Sequence, residues 1–503
     1  MGVKLAIVGI KTSRKTRLKN AGKAPVLCQL AVLLAAIFTG SAVAQESTGN
    51  EFPSQKIAER LQQYADLAVQ WSQAYFRIDT TNPPGNEIRA TEFFKKILDA
   101  EGIENQVFEY APGRADLWAR VPHSTEPAQR PIILLNHMDV VTSEPAHWKV
   151  PPFSGQILDG AIYGRGAQDM KDEGIAQLLA LVMLKREKIA LDRDVIFLAV
   201  ADEEVASTGT DWFIAHHREL LENAEFLINE GGENILDQHG KLKYMGVAVA
   251  QKSPLWLHVV AHGQPGHGSV PLADSAPNRL IAALSRIIAY HSPPKVTPIV
   301  EEALRDMAPY QTGKRAEQFR NIREAIRDKE FQTEIERDET LNFLFHNTTS
   351  LTMLGGSEQT NVIPGEAWAN LDVRLLPGED PKQFLGTIRQ VVNDPQVTVE
   401  PQDSDFRVSN SSPTDTALFN AFVRVSAHYF PGAPVTPQLT SGYDESQRYR
   451  PLGIHSYGFN PYTATQQEND TQHGDNERIR VSEVRRGFQV MYDVVASVAG
   501  KSN

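Results

Sequence analysis

Leu198-Ala199-Val200-Ala201-Asp202-Glu203-Glu204 ends an apolar run with three consecutive carboxylates. The run from Val195 to Ala201 is short and uninterrupted, the mark of a strand buried on both faces rather than of a half-exposed one. Two similar runs, Ile132 to Leu135 and Phe226 to Ile228, are separated from it by helical stretches at Ile175–Lys185 and Asp211–Leu221. Alternation of this kind predicts an α/β fold, a mixed and mostly parallel sheet covered by helices. Helices are also expected over Gln55–Phe76, from about Glu87 to Ala100 after the turn Asp79–Gly85, and over Val484–Val498, with a further strand at Gly453–Phe459.

Between about Lys252 and Pro401 the order changes to strand, helix, a polar helical insertion (Glu301 to Asp338), two strands (Ser350–Met353 and Ala367–Leu375), a helix and a strand. This predicts a separate α+β domain inserted into the first. The expected organisation is a leader at 1–44, a main domain at 45–251 and 403–503, and an inserted domain at 252–402.

Of the 503 residues, 41% are hydrophobic and 22% charged, an ordinary globular balance. Residues 1–44 depart from it, with seven Lys or Arg, no Asp or Glu, the apolar run Leu27–Phe38 and then Ala42-Val43-Ala44. That is the pattern of an export signal cleaved after Ala44, and its apolar part is shorter than the roughly 20 residues of a membrane span. The expected location is therefore periplasmic or secreted. Removal of the leader leaves 43 Lys plus Arg against 62 Asp plus Glu, a formal net charge of −19. Such a chain is unsuited to nucleic acid or anionic lipid. Cys28, the sole cysteine, lies in the leader, so any metal must be held by His, Asp and Glu.

The polar strand ends supply such groups. In Ile133-Leu134-Leu135-Asn136-His137-Met138-Asp139, residues two apart share a face. Asp139 can then accept a hydrogen bond from one imidazole nitrogen of His137 while the other binds a metal. Gly164-Arg165-Gly166-Ala167-Gln168-Asp169-Met170-Lys171 is a glycine-rich turn before a helix, in which Asp169 or Asp172 could equally be an N-cap. Asn229-Glu230-Gly231-Gly232 ends the third strand, and Gln472-His473-Gly474-Asp475-Asn476-Glu477-Arg478 places a histidine ahead of the last helix. His137, Glu204 and Glu230 thus end separate strands, where open α/β sheets build their sites. Carboxylates gathered there repel one another, and a divalent cation is the simplest offset.

These motifs, together with Gly266-His267-Gly268-Ser269-Val270-Pro271, resemble in this order the dinuclear zinc peptidases of metallopeptidase family twenty, which includes aminoacylase, glutamate carboxypeptidase and the carboxypeptidase S branch. The resemblance implies a zinc-exopeptidase-like catalytic domain and a ferredoxin-like inserted lid or dimerisation domain. It implies two Zn²⁺ (Mn²⁺ or Co²⁺ fit the same donors) held by His137, Asp169, Glu204, Glu230 and His473, with Asp169 bridging. Glu203 becomes the general base and Asp139 the partner of His137. His267 is expected to stabilise the oxyanion, reaching a partner subunit's site in a homodimer, and Asn361 and Arg374 to grip a substrate carboxylate. Where the family usually shows Lys-Gly after the aspartate, this chain has Met170-Lys171-Asp172. The expected activity is hydrolysis of the amide bond to a C-terminal amino acid, of the carboxypeptidase type, with an N-acyl-amino-acid deacylase as the rival. A binding module that kept only the fold would have no use for Glu203.

Overall fold

The structure is a computed structural model that describes residues 52–221, 223–402, 406 and 409–501. The expected leader, 1–44, lies outside the described residues.

Six strands of the main sheet are laid down first: β1 (Glu104–Ala111), β2 (Arg114–Val121), β3 (Gln129–His137), β4 (Arg193–Val200), β5 (Phe226–Asn229) and β6 (Met245–Gln251). The chain then builds a second sheet from β7 (Ser253–His262), β8 (Thr348–Gly355), β9 (Glu366–Leu375) and β10 (Val397–Pro401), and returns to the first through β11 (Val435–Thr440) and β12 (His455–Gly458). The eight-stranded sheet has the order β1-β2-β4-β3-β5-β12-β6-β11. Its centre, β4-β3-β5-β12, is parallel, and the β1-β2 hairpin joins β4 antiparallel.

The uninterrupted apolar runs are explained by two cores, one on each face. Val195, Phe197 and Ala199 of β4 and Ile132 and Leu134 of β3 enter the larger core. Ile196, Leu198 and Val200, with Ile133 and Leu135, enter the smaller one. Alternation in an extended chain sends neighbours to opposite faces, so both parities must be apolar. The helix Lys171–Arg186 lies within the larger core and is buried from Lys171 to Leu184. Helices Leu61–Phe76 and Val481–Ala499 pack against it. No helix among the described residues is long and apolar enough to cross a membrane.

The second sheet has the order β8-β9-β7-β10 with every pair antiparallel. Helices Ala276–Ile288 and Pro381–Val392 cover one face, giving a βαββαβ unit with its own core of Leu257, Val259, Leu284, Leu371, Val373 and Ile388. The helical insertion behaves differently. Ile299, Val300, Leu304, Phe331, Ile335 and Phe345 join the large core beneath the eight-stranded sheet, and helix Pro298–Met307 packs on β11. In packing terms the residues from 298 to 345 belong to the body, although the chain reaches them from the inserted unit.

Phe197 is fully buried at the centre of this arrangement, edge-on to Phe94 at 5.2 Å. Phe197→Ala is expected to cost about 3–5 kcal/mol of unfolding free energy, read as a lowered urea midpoint.

Candidate metal centre

Three adjacent parallel strands deliver the site. β3 ends at His137, β4 runs into Asp202-Glu203-Glu204, and β5 into Glu230. Asp169 precedes the helix that begins at Lys171, and His473 sits in a tight turn with a left-handed backbone. No side chain caps that helix, so Asp169 and Asp172 are not its N-cap. The carboxylate of Asp169 is instead shared. Its Oδ1 lies 3.0 Å from His137 Nε2, and its Oδ2 lies 2.9 Å from His473 Nε2. Glu230 Oε2 approaches His137 Nε2 at 3.6 Å, and Glu204 Oε2 approaches His473 Nε2 at 3.2 Å.

Two donor sets result, His137–Asp169–Glu230 and Asp169–Glu204–His473, each with its donor atoms within 4.8 Å of one another. Imidazole and carboxylate are the donors that Zn²⁺, Mn²⁺ and Co²⁺ accept. The surroundings also suit a cation. Glu204 Oε1 is buried without a hydrogen-bond partner, as are Asp172 Oδ1 and Glu173 Oε2 nearby. Burial, reinforced by Asp169, pushes the Glu230 carboxyl up to about 7, and burial with repulsion from Glu230 drives Glu203 well above the usual carboxylate range. Hydrogen bonds to Asp169 and Glu204 raise His473 to about 10. The residues present therefore fit a pair of divalent ions with Asp169 between them.

His137 differs from expectation in one respect. Its Nδ1 donates to the main-chain carbonyl of Asp139 at 3.0 Å, whereas the Asp139 carboxylate is 3.7 Å away. A carbonyl can only accept, so Nδ1 carries a proton, and Nε2, which faces the Asp169 carboxylate, is the nitrogen that would turn a lone pair to an ion held in the donor set. The Asp139 carboxylate accepts the backbone N–H groups of Glu203 (3.0 Å) and Glu204 (3.2 Å). It fixes the loop that carries two acids rather than the imidazole alone.

Residues to which the sequence assigned no role complete this support. Asn82 Nδ2 donates to Asp139 (2.8 Å) and to Asp202 (2.7 Å), holding two buried carboxylates apart. Arg114 Nη2 donates to Asp202 at 2.8 Å and to Glu87 at 2.9 Å, and its Nε donates to Glu87 at 2.7 Å. On the other side, buried Glu477 accepts Arg165 Nη1 (2.6 Å) and the N–H groups of Gly166 (3.0 Å) and Gln168 (2.8 Å). Arg165 Nη2 also donates to the Gly474 carbonyl at 2.9 Å, which locks the His473 turn to the Asp169 turn. Gln472 Nε2 donates to Asp169 at 2.8 Å. The polar turn Asp79–Gly85 and the Gly164–Lys171 and Gln472–Arg478 motifs hold most of these residues, but neither they nor the isolated Glu87 and Arg114 say who pairs with whom.

A cavity of about 750 Å³ is lined by Asp169, Glu203, Glu204, Glu230 and His473, and by Arg374 from the second sheet. Arg374 Nε and Nη2 donate to the two oxygens of Asp372 at 2.8 and 3.1 Å. His267 and Asn361 are not among the lining residues. Both are exposed on a two-stranded ribbon in which Gly266-His267 pairs with Val362-Ile363 and Gly268 N–H donates to the Asn361 carbonyl at 2.7 Å. The Ser269 N–H donates to His267 Nδ1 at 3.2 Å, leaving the ring proton on Nε2.

A dinuclear metal site at the carboxyl ends of a covered sheet, with a second unit across the cavity, defines a metal-dependent hydrolase. The model of Peptidase family M20/M25/M40 matches residues 133–497, and the chain belongs to that family. It is 29% identical over 384 residues to the bovine (Bos taurus) N-fatty-acyl-amino acid synthase/hydrolase PM20D1, covering 74% of this chain and 75% of that one. It is 27% identical over 434 residues to rat (Rattus norvegicus) aminoacylase-1B, covering 84% and 93%. The M20 metallo-carboxypeptidase of Sulfolobus solfataricus shares the fold, with a TM-score of 0.65 at 18% identity over 86% of this chain and 98% of that one. Human carnosine dipeptidase 1 does so with a TM-score of 0.60 at 16% identity, over 88% and 98%.

Replacing Arg114 leaves Glu87 and Asp202 buried without their cation. Arg114→Met is expected to lower stability by about 3–5 kcal/mol, measured by urea unfolding, with Arg114→Lys losing less.

Proposed function

We propose that this hydrolase uses two zinc ions to cleave the amide bond joining an acyl or peptidyl group to a C-terminal amino acid. The observation that carries the reading is Asp169 shared between two donor sets, with the half-buried carboxyl of Glu203 lining the same cavity as Arg374. His137, Glu230 and Asp169 would hold one ion and Asp169, Glu204 and His473 the other. The bound pair supplies Lewis acidity, which brings the pKa of a water from about 15.7 toward about 7 and polarises the scissile carbonyl.

The chain's own residues do the rest. Glu203 belongs to neither donor set, so its carboxylate takes the proton of the attacking water and passes it to the leaving nitrogen. Asp139 holds the backbone of Glu203 and Glu204, which keeps base and ligand in fixed relation. The Arg374 guanidinium, held in its plane by Asp372, receives the carboxylate of the amino acid that leaves. Both peptides and N-acyl amino acids satisfy this geometry. The activities for which bovine PM20D1 and rat aminoacylase are named support the deacylase, and the Sulfolobus carboxypeptidase supports the peptidase.

His267 and Asn361 stand outside the cavity of their own subunit, and His267 carries its ring proton on Nε2. In a homodimer the pair would enter the partner's cavity and His267 would donate to the oxyanion. The basic and apolar pattern of residues 1–44 supports export to the periplasm or medium.

Glu203→Gln should keep a zinc content near wild type while turnover falls by about 10²–10⁴-fold, and equal activity in the two proteins would remove Glu203 as the base. Exhaustive chelation should abolish hydrolysis and added zinc restore it. Mixing Glu203→Gln protein with His267→Ala protein should recover activity in mixed dimers, because one cavity then has both intact groups. No recovery would place His267 outside the shared site.

A further inference from the structure

Among the exposed large apolar side chains of the described residues, Val205 and Trp256 line the catalytic cavity. Val205 follows Glu204 directly in the chain, whereas Trp256 comes from the inserted unit and is 48% exposed. Strand register explains where it stands. On β7, Leu255, Leu257 and Val259 enter the core of that unit, which turns Pro254, Trp256 and His258 to the opposite face. On β9, Leu371, Val373 and Leu375 enter the same core and turn Asp372 and Arg374 outward. Trp256 is the cross-strand partner of Asp372, and Pro254 that of Arg374. Residues directly opposite share a face with Cβ atoms about 4.5–5.5 Å apart, so the indole lies alongside the Asp372–Arg374 pair.

This places an apolar shelf next to a guanidinium whose orientation is already fixed by two hydrogen bonds to Asp372. If Arg374 holds the substrate carboxylate, as proposed above, the α-carbon is one bond from that carboxylate and the side chain begins one bond further on. That side chain must then lie within a few ångströms of Arg374, where Trp256 and Pro254 are.

We propose that Trp256 is a specificity-determining residue, and that the site takes substrates whose C-terminal amino acid carries a large apolar or aromatic side chain. The proposal rests on the Arg374 reading and adds to it the identity of the neighbouring group. Burial of an aromatic or branched side chain against the shelf corresponds to a preference of roughly 10–100-fold over alanine.

The test compares kcat/KM of the zinc-loaded full chain for N-acetyl-Phe, N-acetyl-Leu, N-acetyl-Ala and N-acetyl-Asp. The wild type should favour Phe and Leu over Ala by that factor and disfavour Asp. Trp256→Ala should bring the Phe/Ala ratio down toward one, and Trp256→Phe should retain most of it. A Phe/Ala ratio unchanged by Trp256→Ala, an equal fall for all four substrates, or a wild type that prefers Asp to Phe would overturn the proposal. Arg374→Ala separates the two readings. A large rise in KM for all four substrates supports the carboxylate grip, whereas an unchanged KM overturns the grip whatever the Phe/Ala ratio does. The melting temperature of each variant accompanies the kinetics, and Trp256→Gln gives a second reading at this half-exposed position: a Phe/Ala ratio near one supports the proposal and an unchanged ratio overturns it, even where Trp256→Ala does not fold.

Discussion

Negative charge taken out of water is the constraint around which this protein is organised. Asp139, Asp169, Asp202, Glu203, Glu204 and Glu230 converge at one end of the sheet, and Asp172 and Glu173 line the same cavity. Each ion moved from water into a weakly polarisable interior costs several kcal/mol unless it is paired. The chain answers with two layers of positive charge. The outer layer is permanent, Arg114 between Glu87 and Asp202 and Arg165 on Glu477. The inner layer consists of His137 and His473, whose Nε2 atoms both face Asp169 and which cannot by themselves balance the acids around them. Guanidinium groups stay charged at any working pH and suit the permanent role, whereas the inner deficit is of the kind that bound divalent ions would offset.

The sheet makes this concentration possible. Parallel neighbours β4, β3 and β5 all end on one side, so three chain segments release their polar residues within a few ångströms. The crossing to the inserted unit then takes a single residue, because β6 ends at Gln251 and β7 begins at Ser253. Lys252 is buried between them, its ammonium donating to the His346 carbonyl at 2.7 Å, and burial lowers its pKa to about 7. The returning chain is tied to the same point by the Ser409 N–H, which donates to Ser253 Oγ at 2.7 Å. Arg374 and Trp256 therefore face the acids from a separate sheet that is fastened to the body close to its own first residue.

Much of this is legible in the amino-acid sequence. The covered sheet follows from apolar runs in which both parities are hydrophobic, and the polar strand ends that the motifs mark are the ones that meet. The β1-β2 hairpin is not legible, because polar residues (Glu104, Asn105, Gln106 and Glu109 in β1; Arg114, Asp116 and Arg120 in β2) break up its apolar ones and leave no continuous apolar run. The helical insertion is visible as a polar helical stretch, yet its allegiance is not. Periodicity shows that Ile299, Leu304 and Phe331 form buried faces but not which surface buries them. Pairings across long sequence separations, such as Asn82 with Asp202 or Arg165 with Glu477, leave no periodic trace at all.

Asp202 shows how local geometry produces a division of labour between adjacent identical side chains. Its backbone is left-handed, with φ +71°, so the strand turns sharply as soon as it leaves the sheet. Its carboxylate is held by Asn82 and Arg114, and it also accepts the Thr208 N–H at 3.3 Å, bracing the start of the next helix. The turn brings the N–H groups of both Glu203 and Glu204 onto the one carboxylate of Asp139. With their backbones pinned together, the two side chains must leave in different directions. Glu204 reaches His473, while Glu203 remains in the cavity outside both donor sets. A ligand and a base could not otherwise stand next to each other in sequence without competing for the same ion, and the left-handed aspartate before them is what separates them.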